Sequence, residues 1–139
     1  MEIFSYLSDT PQQTITIAEP LLADHLRLLG SDHPETRAAR GSAALAYGAA
    51  GRTAEAVTLF EQNLADCERL LGTDHPDTLM VRGTLASAYR DAGRVHEAIA
   101  MLEQNLADRE RVLGSDHPYT QTARDRLAGA RQAAGRTPG

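Results

Sequence analysis

The feature that most constrains the fold is an internal repeat with a period of 42 residues. Residues 61–78 read EQNLADCERLLGTDHPDT and residues 103–120 read EQNLADRERVLGSDHPYT, with identical residues at 14 of the 18 positions. The same period relates the Asp-His-Pro triplets that contain His33, His75 and His117. A period of this length is typical of stacked repeat architectures, in which each unit buries its apolar side only against its neighbours. The chain is therefore expected to be a series of similar supersecondary units.

Each unit is predicted to contain two helices, as the middle copy illustrates. Asp74 is the expected N-cap of the first helix, and Pro76 falls in its first turn, where a missing N–H has no cost. Gly93 is expected to end this helix in a left-handed conformation, and a second helix then runs from near Val95 to Gly114. Apolar side chains recur at helical spacing in both segments: Val81, Leu85, Ala88 and Ala92 in the first, and Ile99, Leu102, Leu106 and Leu113 in the second. Because the turns are short, the two helices are expected to lie antiparallel.

The same pattern extends along the chain. It predicts first helices near residues 35–50, 77–92 and 119–134, and second helices near residues 11–29, 53–71 and 95–113. Pro20 is expected to kink or split the earliest of these helices. The predicted organisation is a single domain over residues 1–139, with a degenerate repeat at 1–29, repeats at 30–71 and 72–113, a capping helix at 114–135 and a tail at 136–139.

Composition and charge exclude several classes of protein. The net charge of −5 argues against nucleic acid or an anionic membrane as the main partner. No apolar run approaches the ~20 residues needed to span a bilayer, and the N-terminus lacks a secretory signal, so a cytoplasmic location is expected. All fourteen basic residues are Arg. This bias is typical of a GC-rich bacterial genome, although Arg chosen for bidentate carboxylate contacts remains an alternative at some positions.

The turn motif LG-x-DHP-x-T and the core motif LA-x-x-Tyr…AGR-x-x-EA occur together in this chain. In the middle copy they comprise residues 71–76, Leu85-Ala86, Tyr89, residues 92–94 and Glu97-Ala98. Over residues 19–135 the sequence resembles the 42-residue tetratricopeptide repeats of kinesin light chains and of many bacterial scaffold proteins. The resemblance implies an all-α fold, a right-handed α-solenoid of antiparallel helix pairs with about three repeats and six to seven helices. It also implies a protein–protein interaction module with no cofactor.

The same resemblance implies that the first helices line a concave groove that binds a partner peptide, loop or helix. By alignment, the residues expected to line this groove are Ala38, Gly41, Ser42, Leu45, Met80, Gly83, Thr84, Ser87, Arg90, Asp125 and Arg126. In the kinesin-light-chain type an Asn-Asn pair often precedes the Leu-Ala and holds the peptide backbone. The equivalent pairs here are Gly41-Ser42, Gly83-Thr84 and Asp125-Arg126. Gly41 and Gly83 either keep this surface small for a partner or allow neighbouring helices to pack closely.

Other repeated residues are interpreted as structural. The three Asp-His pairs would lie at least one helix diameter apart, roughly 8–10 Å, and cannot converge on one metal ion, so no metal site is expected. Arg40, Arg82 and Arg124 form a ladder that is expected to pair with acidic residues on the following helices, or alternatively to anchor an acidic partner. The single cysteine, Cys67, occupies the position held by His25 and Arg109 in other copies, which argues against a catalytic thiol.

Two functional hypotheses follow from these observations. The first is an adaptor or accessory subunit that binds another protein in the groove. The second is a self-assembly module that uses an apolar N-terminal end formed by Phe4, Tyr6, Leu7, Ile15 and Ile17. An enzyme is not expected, because the sequence contains no nucleophile–base arrangement and no Gly-rich phosphate loop.

Overall fold

The computed structural model describes residues 10–136, which form six α-helices joined by short turns. These helices are α1 (Thr10–Leu29), α2 (Pro34–Ala49), α3 (Thr53–Leu71), α4 (Pro76–Asp91), α5 (Val95–Leu113) and α6 (Pro118–Arg136). Within residues 10–136 no strand is present. The predicted all-α fold of paired helices is therefore confirmed, and the helix boundaries lie within one or two residues of the expected positions.

Two sequence-based expectations concern the N-terminal part of the chain: a break at Pro20 and a helix at residues 1–8. The predicted split of the first helix does not occur, because α1 continues through Pro20 as one helix of 20 residues. A proline removes a single backbone donor, and the helix continues on both sides of Pro20. The expected degenerate helix at residues 1–8 lies outside the described residues.

The helices end as the sequence predicted, and Gly93 illustrates the geometry. Its φ of 82° lies in the left-handed region, which only glycine adopts at little cost. The N–H of Gly93 donates to the carbonyl of Arg90 at 3.0 Å, and the N–H of Arg94 donates to that of Tyr89 at 2.8 Å. This pair of bonds is the Schellman motif, which satisfies carbonyls that the helix itself leaves unpaired.

The helix starts require a correction, because the capping residue is the histidine of each Asp-His-Pro triplet and not the aspartate. His33, His75 and His117 accept a hydrogen bond through Nδ1 from the backbone N–H two residues later, at 3.1, 3.0 and 3.0 Å. Asp74, the expected cap, instead forms an exposed ion pair with Arg111 at 2.8 Å. Histidine can replace an Asx cap because its Nδ1 is an acceptor at a similar distance from the backbone.

The chain divides into two compact units, which are described separately: an N-terminal unit up to Asn63 and a C-terminal unit from Leu64. In the N-terminal unit α1 packs against α2. In the C-terminal unit α5 packs against both α4 and α6, and α4 also contacts α6. The core of the C-terminal unit contains Ala86, Leu102, Leu127 and Ala130, with Ile99, Met101 and Leu106 packed against it.

Buried amides add a polar contact between paired helices. Asn63 and Asn105 occupy equivalent positions of two second helices and are 4% and 0% exposed. The Nδ2 of Asn63 donates to the carbonyl of Arg37, and that of Asn105 donates to the carbonyl of Leu79, both at 3.0 Å. Each amide therefore holds a second helix to the backbone of its first helix.

The capping assignment predicts different effects on stability for the histidine and the aspartate of the Asp-His-Pro triplet. The two substitutions below are in different copies of the triplet. His75→Ala should lower the free energy of unfolding by about 1 kcal/mol, because one backbone donor of α4 loses its acceptor. His75→Asn should restore most of this loss. Asp116→Ala removes an aspartate that makes no hydrogen bond or ion pair with residues 10–136, and should change stability by less than about 0.5 kcal/mol. Urea denaturation followed by circular dichroism would measure all three, and an equal loss for Asp116→Ala would contradict the assignment.

Candidate protein-binding face

The predicted groove residues of the N-terminal unit lie on one side of α2. Ala38, Ser42 and Leu45 are exposed, and Leu45 is an apolar side chain with 61% of its surface open to solvent. Gly41 is half-buried, and a Cβ at this position would meet only the Nδ2 of Asn63, at 3.6 Å. This part of the face is therefore small, apolar and accessible.

In the C-terminal unit the predicted groove residues lie on α4 and α6. Met80 and Arg90 are exposed on α4, and Asp125 is exposed on α6. Thr84, Ser87 and Arg126 are half-buried. The hydroxyls of Thr84 and Ser87 donate to carbonyls of their own helix, those of Met80 and Gly83. In each unit we call the exposed and half-buried members of the predicted set its first-helix face, which lies on α2 in the N-terminal unit and on α4 and α6 in the C-terminal unit.

Gly83 is the exception, because it is buried under other side chains of the same chain. A Cβ at Gly83 would lie 2.6 Å from Nη1 of Arg126, 3.0 Å from Nη2 of Arg109 and 3.1 Å from Oδ1 of Asn105. The space above Gly83 is thus occupied by the neighbouring helices α5 and α6. This observation favours the close-packing interpretation of Gly83 over a surface kept open for a partner.

Arg109 is a buried cation that the sequence analysis did not single out. It is 3% exposed and donates to the carbonyls of Tyr119 and Leu79, at 2.5 and 3.1 Å. Burial lowers the pKa of Arg109, and the nearby positive charge of Arg126 lowers it further. The available signal was the presence of Arg at a repeat position that holds Cys67 in the preceding copy, although the sequence did not indicate where the guanidinium would go.

The arginine ladder has a structural role at Arg82, as one of the two interpretations predicted. Arg82 is buried and pairs with Glu68 at 3.1 Å and Asp108 at 3.2 Å. Arg40 donates to Oδ1 of Asn63 at 2.8 Å among its contacts, and Arg124 donates to Oε1 of Gln121 at 3.2 Å. Asp108 lies on α5, the helix that follows α4, as expected, whereas Glu68 lies on α3, the helix that precedes it.

An apolar cavity of about 440 Å³ lies between α1, α2 and α3 of the N-terminal unit. Leu22, Leu26 and Leu59 line it, with Glu19 and Tyr47 among the polar groups. The Tyr47 hydroxyl donates to Glu19 Oε2 at 2.5 Å. This bond, together with burial, raises the pKa of Tyr47 to about 12, so the phenol stays protonated at neutral pH. A protonated phenol on a carboxylate provides a structural contact and no reactive group.

The residues expected to mediate self-association have different environments. Ile15 is 1% exposed and belongs to the interior of the N-terminal unit, whereas Ile17 is 69% exposed on α1. Phe4, Tyr6 and Leu7 lie outside the described residues. Four further leucines of α1 are exposed on its surface, namely Leu21, Leu26, Leu28 and Leu29. Of Ile15 and Ile17, the two predicted self-association residues within residues 10–136, Ile17 is the accessible one.

Residues 10–136 contain neither a metal-binding cluster nor a membrane-spanning helix. No three His, Cys, Asp or Glu side chains within residues 10–136 come close enough together to hold a metal ion. None of the six helices is long and apolar enough to cross a membrane.

Comparison with known proteins places these helix pairs in a family. A family model described as tetratricopeptide repeat matches residues 43–107 and, in a second register, residues 83–138. Among solved structures, the chain is similar to the nearly identical TPR-like repeats of a Podosopora anserina protein described as a kinesin light chain, with 36% identity and a TM-score of 0.83. That match covers 93% of this chain and 61% of the solved chain. A single-residue variant of the same repeats matches with 36% identity and a TM-score of 0.81, covering 92% and 60%.

A more distant similarity is to BtubC (BKLC) of P. vanneervenii, with 19% identity, a TM-score of 0.79 and coverage of 91% and 50%. At this identity the similarity shows the fold alone. No protein of curated function matches the sequence.

The chain belongs to the tetratricopeptide repeat family, since the family model matches well over half of its length. The resemblance to repeats of the kinesin-light-chain type is also confirmed. The chain spans about 60% of the two P. anserina chains and half of BtubC. Repeats of this fold are in general scaffolds for protein–protein interaction.

The two equivalent glycines Gly41 and Gly83 should respond in opposite ways to alanine. Gly41→Ala should raise the free energy of unfolding by up to about 1 kcal/mol, because alanine is the better helix former and its Cβ makes an ordinary contact. Gly83→Ala should lower it by about 1 kcal/mol, because Arg109 and Asn105 are both held by the carbonyl of Leu79 and cannot easily move from the new Cβ. Thermal and urea unfolding would measure both. A stabilised Gly83→Ala would show that the space above Gly83 is not tightly filled.

Proposed function

We propose that this chain is an adaptor or accessory module that binds a segment of another protein along its first-helix face. The observation that carries the proposal is that the first-helix face of each unit exposes an apolar side chain, Leu45 at 61% in the N-terminal unit and Met80 at 44% in the C-terminal unit. Exposed apolar side chains beside polar ones are typical of surfaces that bind other proteins. Membership of the tetratricopeptide repeat family supports the same role.

The proposal assigns no reaction to the chain. Its support is that the perturbed titratable groups of the described residues are arginines, one tyrosine and two carboxylates, each explained by burial or by an ordinary ion pair or hydrogen bond. The cytoplasmic location, the bacterial origin and the absence of nucleic-acid or membrane partners remain predictions from the sequence.

Matched bulky substitutions would test the binding face. Ser42→Trp and Thr84→Trp lie at equivalent repeat positions on first helices, and Ala65→Trp and Ala107→Trp lie at equivalent exposed positions on second helices. Immobilised chains would be exposed to a lysate of the source organism, and the bound proteins would be quantified by mass spectrometry. A specific partner should be lost at least tenfold with the first-helix variants and retained with the second-helix variants. Retention by all four variants, or loss only with the second-helix pair, would reject the proposal.

The second candidate is self-association through α1, and it is favoured by the exposed apolar side chains Ile17, Leu21, Leu28 and Leu29. A contiguous apolar helix surface is commonly covered by another chain. The substitution Ile17→Glu should then convert an oligomer into a monomer, while Ile15→Glu is unsuitable because it would disrupt the interior. Light scattering over a concentration series would measure the molar mass. A wild-type chain that is monomeric at all concentrations would reject self-association.

A further inference from the structure

The apolar cavity between α1, α2 and the beginning of α3 shares no residue with the first-helix face, so a ligand bound there would lie outside the proposed function. Its volume of about 440 Å³ falls within the range of about 300–1,000 Å³ that is usual for small-molecule sites. Six of its ten lining residues are apolar, and the others are polar or charged. A mostly apolar lining with a few polar groups is also typical of such sites.

A buried alanine distinguishes this cavity from the rest of the repeat. Ala43 lines the cavity and is 1% exposed, whereas the equivalent positions of the next two repeats hold Leu85 and Leu127, which are buried as well. Leucine is larger than alanine by an isopropyl group, so the N-terminal copy lacks apolar atoms that the other copies have at this position. A space lined by apolar groups is stabilised when apolar atoms occupy it, because its walls then gain van der Waals contacts.

The wall of the cavity also differs from that of the corresponding cavity in the C-terminal unit. Leu26 lines the N-terminal cavity, and the equivalent residue of the next copy is Glu68. Glu68 pairs at 3.1 Å with Arg82, which lines the C-terminal cavity. Four other residues lining that cavity are repeat equivalents of residues lining the N-terminal one, namely Tyr89, Glu97, Ala100 and Met101. The C-terminal cavity thus has a cation of its own, and none of the ten residues lining the N-terminal cavity is a cation.

The charged groups that line the N-terminal cavity are two carboxylates, Glu19 and Glu55. Arg52 donates two hydrogen bonds to Glu55, both at 2.6 Å, and compensates its charge. Glu19 forms no ion pair with residues 10–136, and only its Oε2 accepts a hydrogen bond from them, that of the Tyr47 hydroxyl. This bond, burial and the charges of the two carboxylates raise the pKa of Tyr47 to about 12, as expected in a negative potential. The same potential stabilises a bound cation.

We propose that the N-terminal cavity binds a small organic cation, namely an ammonium group on an apolar body. The ammonium group donates to Oε1 of Glu19, and the apolar body occupies the space beside Ala43. A carboxylate ligand would be repelled by Glu19, and an uncharged ligand would leave its charge unpaired. A lysine side chain of a protein partner fits less well, because its single unbranched alkyl stem would fill only part of the volume.

The test uses phenylbutylamine, phenylbutanol and phenylbutyrate, which share an aromatic ring on a four-carbon chain. Carbon–proton spectra of the leucine and methionine methyl groups would follow titrations of the full chain. The amine should shift the signals of Leu26 and Leu59 saturably, and leave that of Met101 in the C-terminal cavity unchanged. It should bind about fivefold more tightly than the alcohol, as expected for one solvent-accessible ion pair, and the carboxylate should not bind.

Matched substitutions separate the shape of the cavity from its charge. Ala43→Leu introduces the residue type of the other two copies, and should weaken binding of the amine and the alcohol at least about tenfold without lowering the melting temperature. Ala100→Leu makes the same change in the C-terminal cavity and should leave binding unchanged. Glu19→Gln keeps an acceptor for Tyr47 but removes the charge, so the amine should then bind no more tightly than the alcohol. Glu35→Gln removes an exposed charge outside the cavity and should preserve the preference for the amine.

Several results would overturn the inference: equal binding of the amine and the alcohol by the unmodified chain, binding that survives Ala43→Leu, or parallel shifts of Met101 and Leu26. It is also overturned if none of the compounds shifts Leu26 or Leu59, which is the outcome when other protein atoms fill the cavity. If Ala43→Leu lowers the melting temperature, the comparison of Glu19→Gln with Glu35→Gln decides, because neither substitution removes an apolar group. Capture of a protein partner by the first-helix face can succeed or fail independently of these results.

Discussion

The close packing of small side chains is the interaction on which the rest of this fold depends. Ala44, Ala86, Ala98, Ala123 and Ala130 are all completely buried, while aromatic residues make up 4% of the sequence. Alanine has little volume, so apolar surface is buried here by bringing helix backbones close together and not by filling wide gaps with large side chains. A thin core of this kind also brings polar residues into helix contacts, which explains why Asn63, Asn105 and Arg109 are buried and bonded to backbone carbonyls.

Much of the fold could be predicted because the repeat supplies the same information several times. Each helix boundary is marked by a glycine or a proline at a fixed position of the 42-residue unit, and these residues recur in successive copies. The cap was assigned to Asp74 incorrectly because both residues of the Asp-His pair carry an acceptor of the right kind. Which of them reaches the backbone depends on a one-residue difference in where the helix begins, and composition cannot decide this.

The candidate site was less predictable for a different reason. Sequence alignment placed Gly83 and Arg126 on the same face, but they lie 43 residues apart and belong to different helices. That the arginine covers the glycine is a consequence of the distance between α4 and α6, which only the packed structure defines. The partners of Arg82 were missed in the same way, since Glu68 and Asp108 come from two different second helices. At the positions where the kinesin-light-chain pattern often has paired amides, this chain has Gly-Ser, Gly-Thr and Asp-Arg pairs.

The near identity of the turns at residues 72–76 and 114–118 has a consequence for how such a molecule can change over generations. Each turn contains its own stop, cap and proline, so a duplicated or deleted segment of 42 codons joins two compatible ends. The number of repeats can then change by one 42-residue unit at a time, and no new turn or cap has to arise. In a repeat protein, gene recombination can thereby change the number of units separately from the chemistry of any one unit.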